Sequence, residues 1–183
     1  MDKGTAGAID VIDFWWAAGA PKWFARDDAF DAEIRTRFSE VMKLASEGKL
    51  SDWEATPHGT LALIILLDQF PRNVYRGDAK AFASDPDALR LARHACDNRF
   101  DIVFPKEVRA FFYLPFEHAE DMAAQDMSVD LCRRLGIQNY YHYALLHMDV
   151  IRRFGRFPHR NQVLGRDTTP EEAAYLKDGG FSA

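Results

Sequence analysis

The chain of 183 residues is 48% hydrophobic and 28% charged, with a formal charge of −5, which describes one globular domain and excludes disordered, collagen-like and low-complexity classes. A net negative charge also argues against a broad nucleic-acid footprint, which needs basic surface. The longest apolar run, Leu61–Leu67, is far short of the ~20 residues of a membrane span. Cys96 and Cys132 lack a Cys-x-x-Cys partner and make neither a disulfide framework nor a zinc site. The expectation is one cytoplasmic domain over residues 1–183, with no membrane association.

Val, Ile and Thr together number 22, against 25 alanines, and that balance favours helix, because β-branching restricts rotamers in a helical turn. The expected fold is all-α. A first helix lies near Ala8–Ala17. From Asp28 to Glu47, Phe30, Ile34, Phe38, Val41, Met42 and Ala45 recur at helical spacing, and Gly48 follows as a stop. Thr56-Pro57 is an N-cap with a first-turn proline, and it opens a helix that is apolar nearly all round and therefore central. Asp85-Pro86-Asp87 starts another through about Asn98, with Leu89, Ala92, Ala95 and Cys96 inward. A helix from Pro105 meets Pro115, which should kink or break it before a continuation to Gly136. Ile137–Phe154 is closed by Gly155 and Pro158, and Thr169-Pro170-Glu171-Glu172 begins a last helix that ends at Gly179-Gly180. About eight helices in antiparallel pairs result. Trp15, Trp16, Trp23 and Trp53 all fall in the first third and read as packing anchors.

Gly-x-Gly-x-x-Gly, Gly-x-x-x-x-Gly-Lys, Gly-x-Ser-x-Gly and His-Glu-x-x-His are all missing, which removes support for dinucleotide enzymes, P-loop nucleotidases, α/β-hydrolases and zincins. Three polar clusters in aromatic surroundings remain: Asp68–Asn73, Tyr113–Asp121 and His147–Asn161. Between His147 and Arg166, five arginines face Asp149 alone. Such a cationic island suits an anionic ligand, because guanidinium forks match carboxylate and phosphate. The same arginines could instead pair with Asp68, Glu117, Glu120 and Asp121 and lock the fold; sequence leaves both open. Phe70-Pro71-Arg72-Asn73 and Phe157-Pro158-His159-Arg160-Asn161 echo each other, each reading as Phe-Pro after a helix. No glutamate is followed three residues later by histidine, so a di-iron bundle lacks its ligand pairs, and neither a metal nor another cofactor is expected.

The stretches Leu67–Gly77, Tyr113–Asp121 and Arg153–Asn161 closely resemble the bacterial domain-of-unknown-function nine-two-four family, and the likeness runs from Val11-Ile12-Asp13-Phe14-Trp15 to Phe181. The resemblance implies an all-helical, tetratricopeptide-like fold and no established reaction. The chain departs from it at Ala119, where His-Ser-Glu is common, and near Ala17–Gly19. No second copy lies at a 34-residue spacing after Pro86–Asn98. The motif residues carried over, read with the charge pattern, make Glu117, His118, His147 and His159 candidates for proton transfer. Asp68, Gln69, Arg72, Asn73, Tyr113, Asp121, Arg153, Arg156, Arg160 and Asn161 are candidates for holding a small anionic molecule. The alternative is a helical scaffold for a peptide or protein partner, its polar clusters structural. Oligomeric state is open.

Overall fold

The structure, a computed structural model, describes residues 5–181, and these contain helices, turns and loops with no β-strand. The principal helices are α1 (Ala8–Ala18), α3 (Asp28–Ser46), α4 (Pro57–Ile64), α6 (Asp85–Asp97), α7 (Lys106–Glu117), α8 (Met122–Leu135), α9 (Gln138–Phe154) and α10 (Pro170–Lys177), with two short ones, α2 (Ala20–Trp23) and α5 (Phe70–Val74).

Local signals set most helix ends. Asp27 caps α3 through bonds from the Ala29 and Phe30 amides, and the Thr56 hydroxyl accepts the Gly59 amide at the start of α4, each satisfying donors that a first helical turn leaves free. Gly136 (φ 76°) and Gly155 (φ 70°) close α8 and α9 in the left-handed region, which costs glycine little. Thr169 and Glu172 form a reciprocal capping box on α10.

The stripe of α3 is buried as its spacing predicts, and Leu61–Leu67 is buried on every side. Packing brings α4 against α1, α6 and α7, while α7, α8 and α9 pack in succession. Trp15, Phe38, Phe70, Phe111, Phe112 and Phe116 fill the shared core. Trp15 and Trp23 belong to that core and Trp53 packs against it, whereas Trp16 remains 38% exposed. On α6 the inward stripe is Ala88, Leu91, Ala92 and Ala95, with Leu89 and Cys96 only partly buried; the face is turned slightly from the expected one. A smaller apolar cluster, Val150, Ile151 and Phe157, is covered by Phe154, Tyr175 and Phe181.

Two prolines behave differently from the sequence reading. Pro115 lies inside α7, which continues to Glu117 before it ends; being in the last turn, it withholds only one helical bond. Pro71 does not follow a helix end. The helix passes from α4 through a π turn at Ile65–Gln69 into α5, with the Phe70 amide bonded to the carbonyl of Ile65. Proline is accommodated there in the first turn after the π segment, where a missing N–H is tolerated. Phe157-Pro158, in contrast, begins a single 3-10 turn after Gly155, so the two Phe-Pro segments are locally unlike.

Candidate acid/base and anion site

The π turn places Asp68 in the interior, fully buried. His118, at the C-terminus of α7, brings Nδ1 to 2.7 Å from Asp68 Oδ1. Arg72, one turn after Asp68, lies 3.1 Å from the same oxygen, and Gln69 donates its amide to Asp68 Oδ2. Burial alone would raise the Asp68 pKa, but the Arg72 guanidinium and His118 outweigh it and hold the carboxyl below its ordinary range. Asp68 is therefore an acceptor, and His118 Nδ1 carries the proton. Burial and Arg72 lower the His118 pKa against the pull of Asp68, so the neutral ring presents a bare Nε2. The side chain is 12% exposed.

Asp85, at the start of α6, joins two arginines. It takes a fork from Arg72 at 2.9 and 3.0 Å and a bond from Arg160 Nη1 at 3.3 Å. Arg160 also donates to the carbonyl of His118 at 3.1 Å, and its guanidinium lies between the rings of Phe82 and Phe157, 4.5 and 4.4 Å from their centroids. Aromatic faces stabilise a cation withdrawn from water. Burial and the neighbouring Arg72 bring the Arg160 pKa down to about 10, which leaves it charged at neutral pH.

Beside this group stand Glu117 and His147, each 3% exposed. His147 Nδ1 is 2.9 Å from the carbonyl of Tyr143 and 3.1 Å from Glu117 Oε1. A carbonyl only accepts, so Nδ1 holds the proton; burial and His118 push the His147 pKa down to about 3 and leave Nε2 bare. Burial and the Asp68 charge push Glu117 up to about 8, which keeps its carboxyl protonated at neutral pH. The His118 and His147 rings are 6.1 Å apart, and Phe157 links His147 (5.6 Å) to His159 (5.7 Å). Burial and Arg160 bring His159 down to about 4. Gln125 of α8 ties the end of α7 in place by donating to the carbonyls of Glu117 and Ala119 at 2.7 and 2.8 Å.

Not every residue singled out from the sequence joins this group. Asn73 points instead to buried Asp31, at 2.7 Å, which also receives Arg76. Tyr113 donates to Asp101 at 2.6 Å. Asp121 is the α8 N-cap, bonded to the Ala124 amide. Arg153 lies on the surface, stacked on Phe154 and Tyr175, with Asp149 at 3.8 Å. Arg156 forks onto buried Glu172 at 2.6 and 2.9 Å, Asn161 reaches the same carboxylate at 3.1 Å, and Arg166 clasps Glu120. These contacts fasten the C-terminal segment to α7 and α9. Asp85 and Gln125 went unseen in the sequence: an acid before proline at a helix start is ordinary capping chemistry, and Gln125 carries no signal of its own.

Among the described residues no group of three or more His, Cys, Asp or Glu is placed to hold a metal ion. No described helix is long and apolar enough to cross a membrane. A surface groove of about 420 Å³ between α1 and α3, floored by Phe14 and Phe30, lies apart from the polar group.

The family described as bacterial protein of unknown function, DUF924, matches residues 11–180. The chain belongs to this family. Among solved structures, the chain is similar to the protein of unknown function ATU0120 from Agrobacterium tumefaciens, 47% identical over 94% of this chain and 97% of that one, with a TM-score of 0.91. No curated protein matches. The solved neighbour shares the all-helical fold, and neither comparison assigns a reaction.

Proposed function

We propose that this DUF924 protein is a small-molecule enzyme of the cytoplasm in which Asp68 and His118 form a general-base pair and Arg160, held by Asp85, receives an anionic group of the ligand. The observation that carries this reading is the 2.7 Å contact between the His118 Nδ1 and a fully buried carboxylate. A carboxylate so placed fixes the tautomer and supports the imidazolium that forms when Nε2 takes a proton. Glu117, protonated at neutral pH, supplies a proton donor next in sequence to the base. Environments that separate two titratable groups in this way are those that divide acid and base roles. His159 and His147 border the same group; Arg153, Arg156 and Asn161 act as structural supports.

The test is isothermal titration of the full chain with phosphate, acetate and succinate, together with NMR titration of imidazole-labelled protein. Binding of an anion next to His118 raises that residue's pKa, and Arg160→Gln weakens the binding. Absence of binding by all three anions, with an unmoved His118 titration, removes the reading.

A second reading is a tetratricopeptide-like scaffold for a peptide or protein. It is favoured by the large apolar side chains left exposed on one helix, Tyr143 at 43% and Leu145 at 37%, and by the pairing of Arg156 and Arg166 with acids. Exposed single apolar residues are common on protein surfaces, and a buried Asp-His pair has no part in such a role.

A further inference from the structure

Three titratable side chains of the polar group, all at least 95% buried, keep an atom without a hydrogen-bond partner, Arg160 Nε, Glu117 Oε2 and His147 Nε2, and so do the adjoining Gln125 Oε1 and His159 Nδ1. Buried polar atoms in folded proteins are satisfied in the large majority of cases, so three in one neighbourhood mark a place made for a further group. Their hydrogen-bonding character follows from the partners they already have. Arg160 Nε is a donor in every state. Glu117 turns Oε1 toward the His147 N–H, so its own proton belongs on Oε2, a second donor. His147 gives Nδ1–H to the carbonyl of Tyr143, and Nε2 offers a lone pair.

The set is therefore two donors and one acceptor. A plain carboxylate, made of acceptors, serves the donors and sets lone pair against lone pair at His147. A hydroxyl or amine adjoining the carboxylate serves all three. Resting on the reading of Asp68, His118 and Arg160 given above, we infer that the site is selective for a small hydroxy- or amino-carboxylate, with its acid group on Arg160 and Glu117 and its hydroxyl or amine donating to His147 Nε2. Phe157 and Phe181 lie edge-on to the His147 ring, at 5.6 and 4.5 Å, and exclude bulk around it; the ligand is accordingly one of few atoms beyond these polar groups.

Matched acids that differ in one group test the assignment: propionate against lactate and alanine, and succinate against malate and aspartate. Affinities come from calorimetry on the full chain at pH 7, and 15N-labelled imidazoles report each Nε2 directly, so no variant has to fold. The expected result is binding about tenfold or more tighter for at least one hydroxy or amino acid than for its parent, the scale of one satisfied hydrogen bond, with the His147 Nε2 resonance moving only for the tighter compounds. Equal affinities within each set, or tighter binding that leaves the His147 Nε2 resonance unmoved, overturn the inference while the anion site stands. Failure of every acid to bind removes both.

Discussion

Asp68 and His118 stand fifty positions apart in the chain and meet at 2.7 Å inside it. One comes from an irregular turn of the central helix, the other from the C-terminal end of α7, so their contact reports on the packing of both. Asp68→Asn keeps the shape and removes the charge that Arg72 and His118 share. Breaking a buried pair by altering one partner costs about 3–5 kcal/mol, and urea unfolding at pH 7 should register that loss. In the same variant the Nδ1–H tautomer of His118 is no longer enforced, which imidazole 15N shifts detect. A variant as stable as the parent, with an unchanged tautomer, contradicts the role assigned to this contact.

Stability should peak near pH 6.5. His147 and His159 have folded pKa values of about 3 and about 4, below their ordinary 6.5; as pH falls from 6.5 the unfolded chain binds protons that the folded chain refuses, and stability declines. Glu117, about 8 when folded against 4.5, acts in the opposite sense: its contribution is complete below 4.5 and is lost as pH rises toward 8. Two histidines against one carboxyl give a net rise of stability with pH between 4.5 and 6.5, on the order of 1 kcal/mol per pH unit, and Glu117 alone gives a fall above it. Lowering of the His118 pKa steepens the acid side. Glu117→Gln should flatten the alkaline limb; urea midpoints that fall equally above pH 6.5 in parent and variant would falsify this assignment.

The central helix admits no charge. Leu63 and Leu66 are 3% and 1% exposed, and an unpaired carboxylate buried there costs several kcal/mol, comparable with the ~5–15 kcal/mol stability of a whole domain. Leu63→Asp and Leu66→Asp should therefore fail to fold. Cooperative near-ultraviolet melting of either protein contradicts this placement of the core.

Arg156→Gln discriminates structural from ligand-holding arginines. As a free member of a cationic island, Arg156 would be neutral or favourable to lose. Its fork onto buried Glu172, a carboxyl held down at about 2 chiefly by that hydrogen bond, reverses the sign. The variant should melt below the parent and bind acids as the parent does. Calorimetric melting with and without malate checks both halves.

Most of the fold was legible because its signals are local. The α3 stripe, the Thr56-Pro57 start and the glycines at 136 and 155 each depend on neighbours within a turn or two. The polar group depends on pairings across the chain, such as Arg160 with Asp85, 75 positions away. Of the residues that the sequence singles out, Asp68, Arg72, Glu117, His118, His147, His159 and Arg160 gather in one region, whereas Arg153 lies on the surface and Arg156 and Asn161 hold Glu172. Nothing in composition distinguished Asn73 and Tyr113, which serve Asp31 and Asp101, from those that gather. Pro71 reads as a stop in the sequence because periodicity cannot foresee a wider turn that accommodates it.

That wider turn also fixes the phase of the chain. The π segment Ile65–Gln69 carries one residue more than a regular helix would place there, and π bulges of this kind commonly mark functional positions. Removing a single residue from it would restore an uninterrupted α-helix, a locally better-formed structure, while rotating everything beyond it by about 100° about the helix axis. Arg72 would swing away from Asp85, and Pro71 would enter a helical interior that has no room for it. The helix is thus slightly imperfect in the one place where regularity would misalign it, and an insertion or deletion at that turn acts as a change of angle, felt by distant partners before it is felt locally.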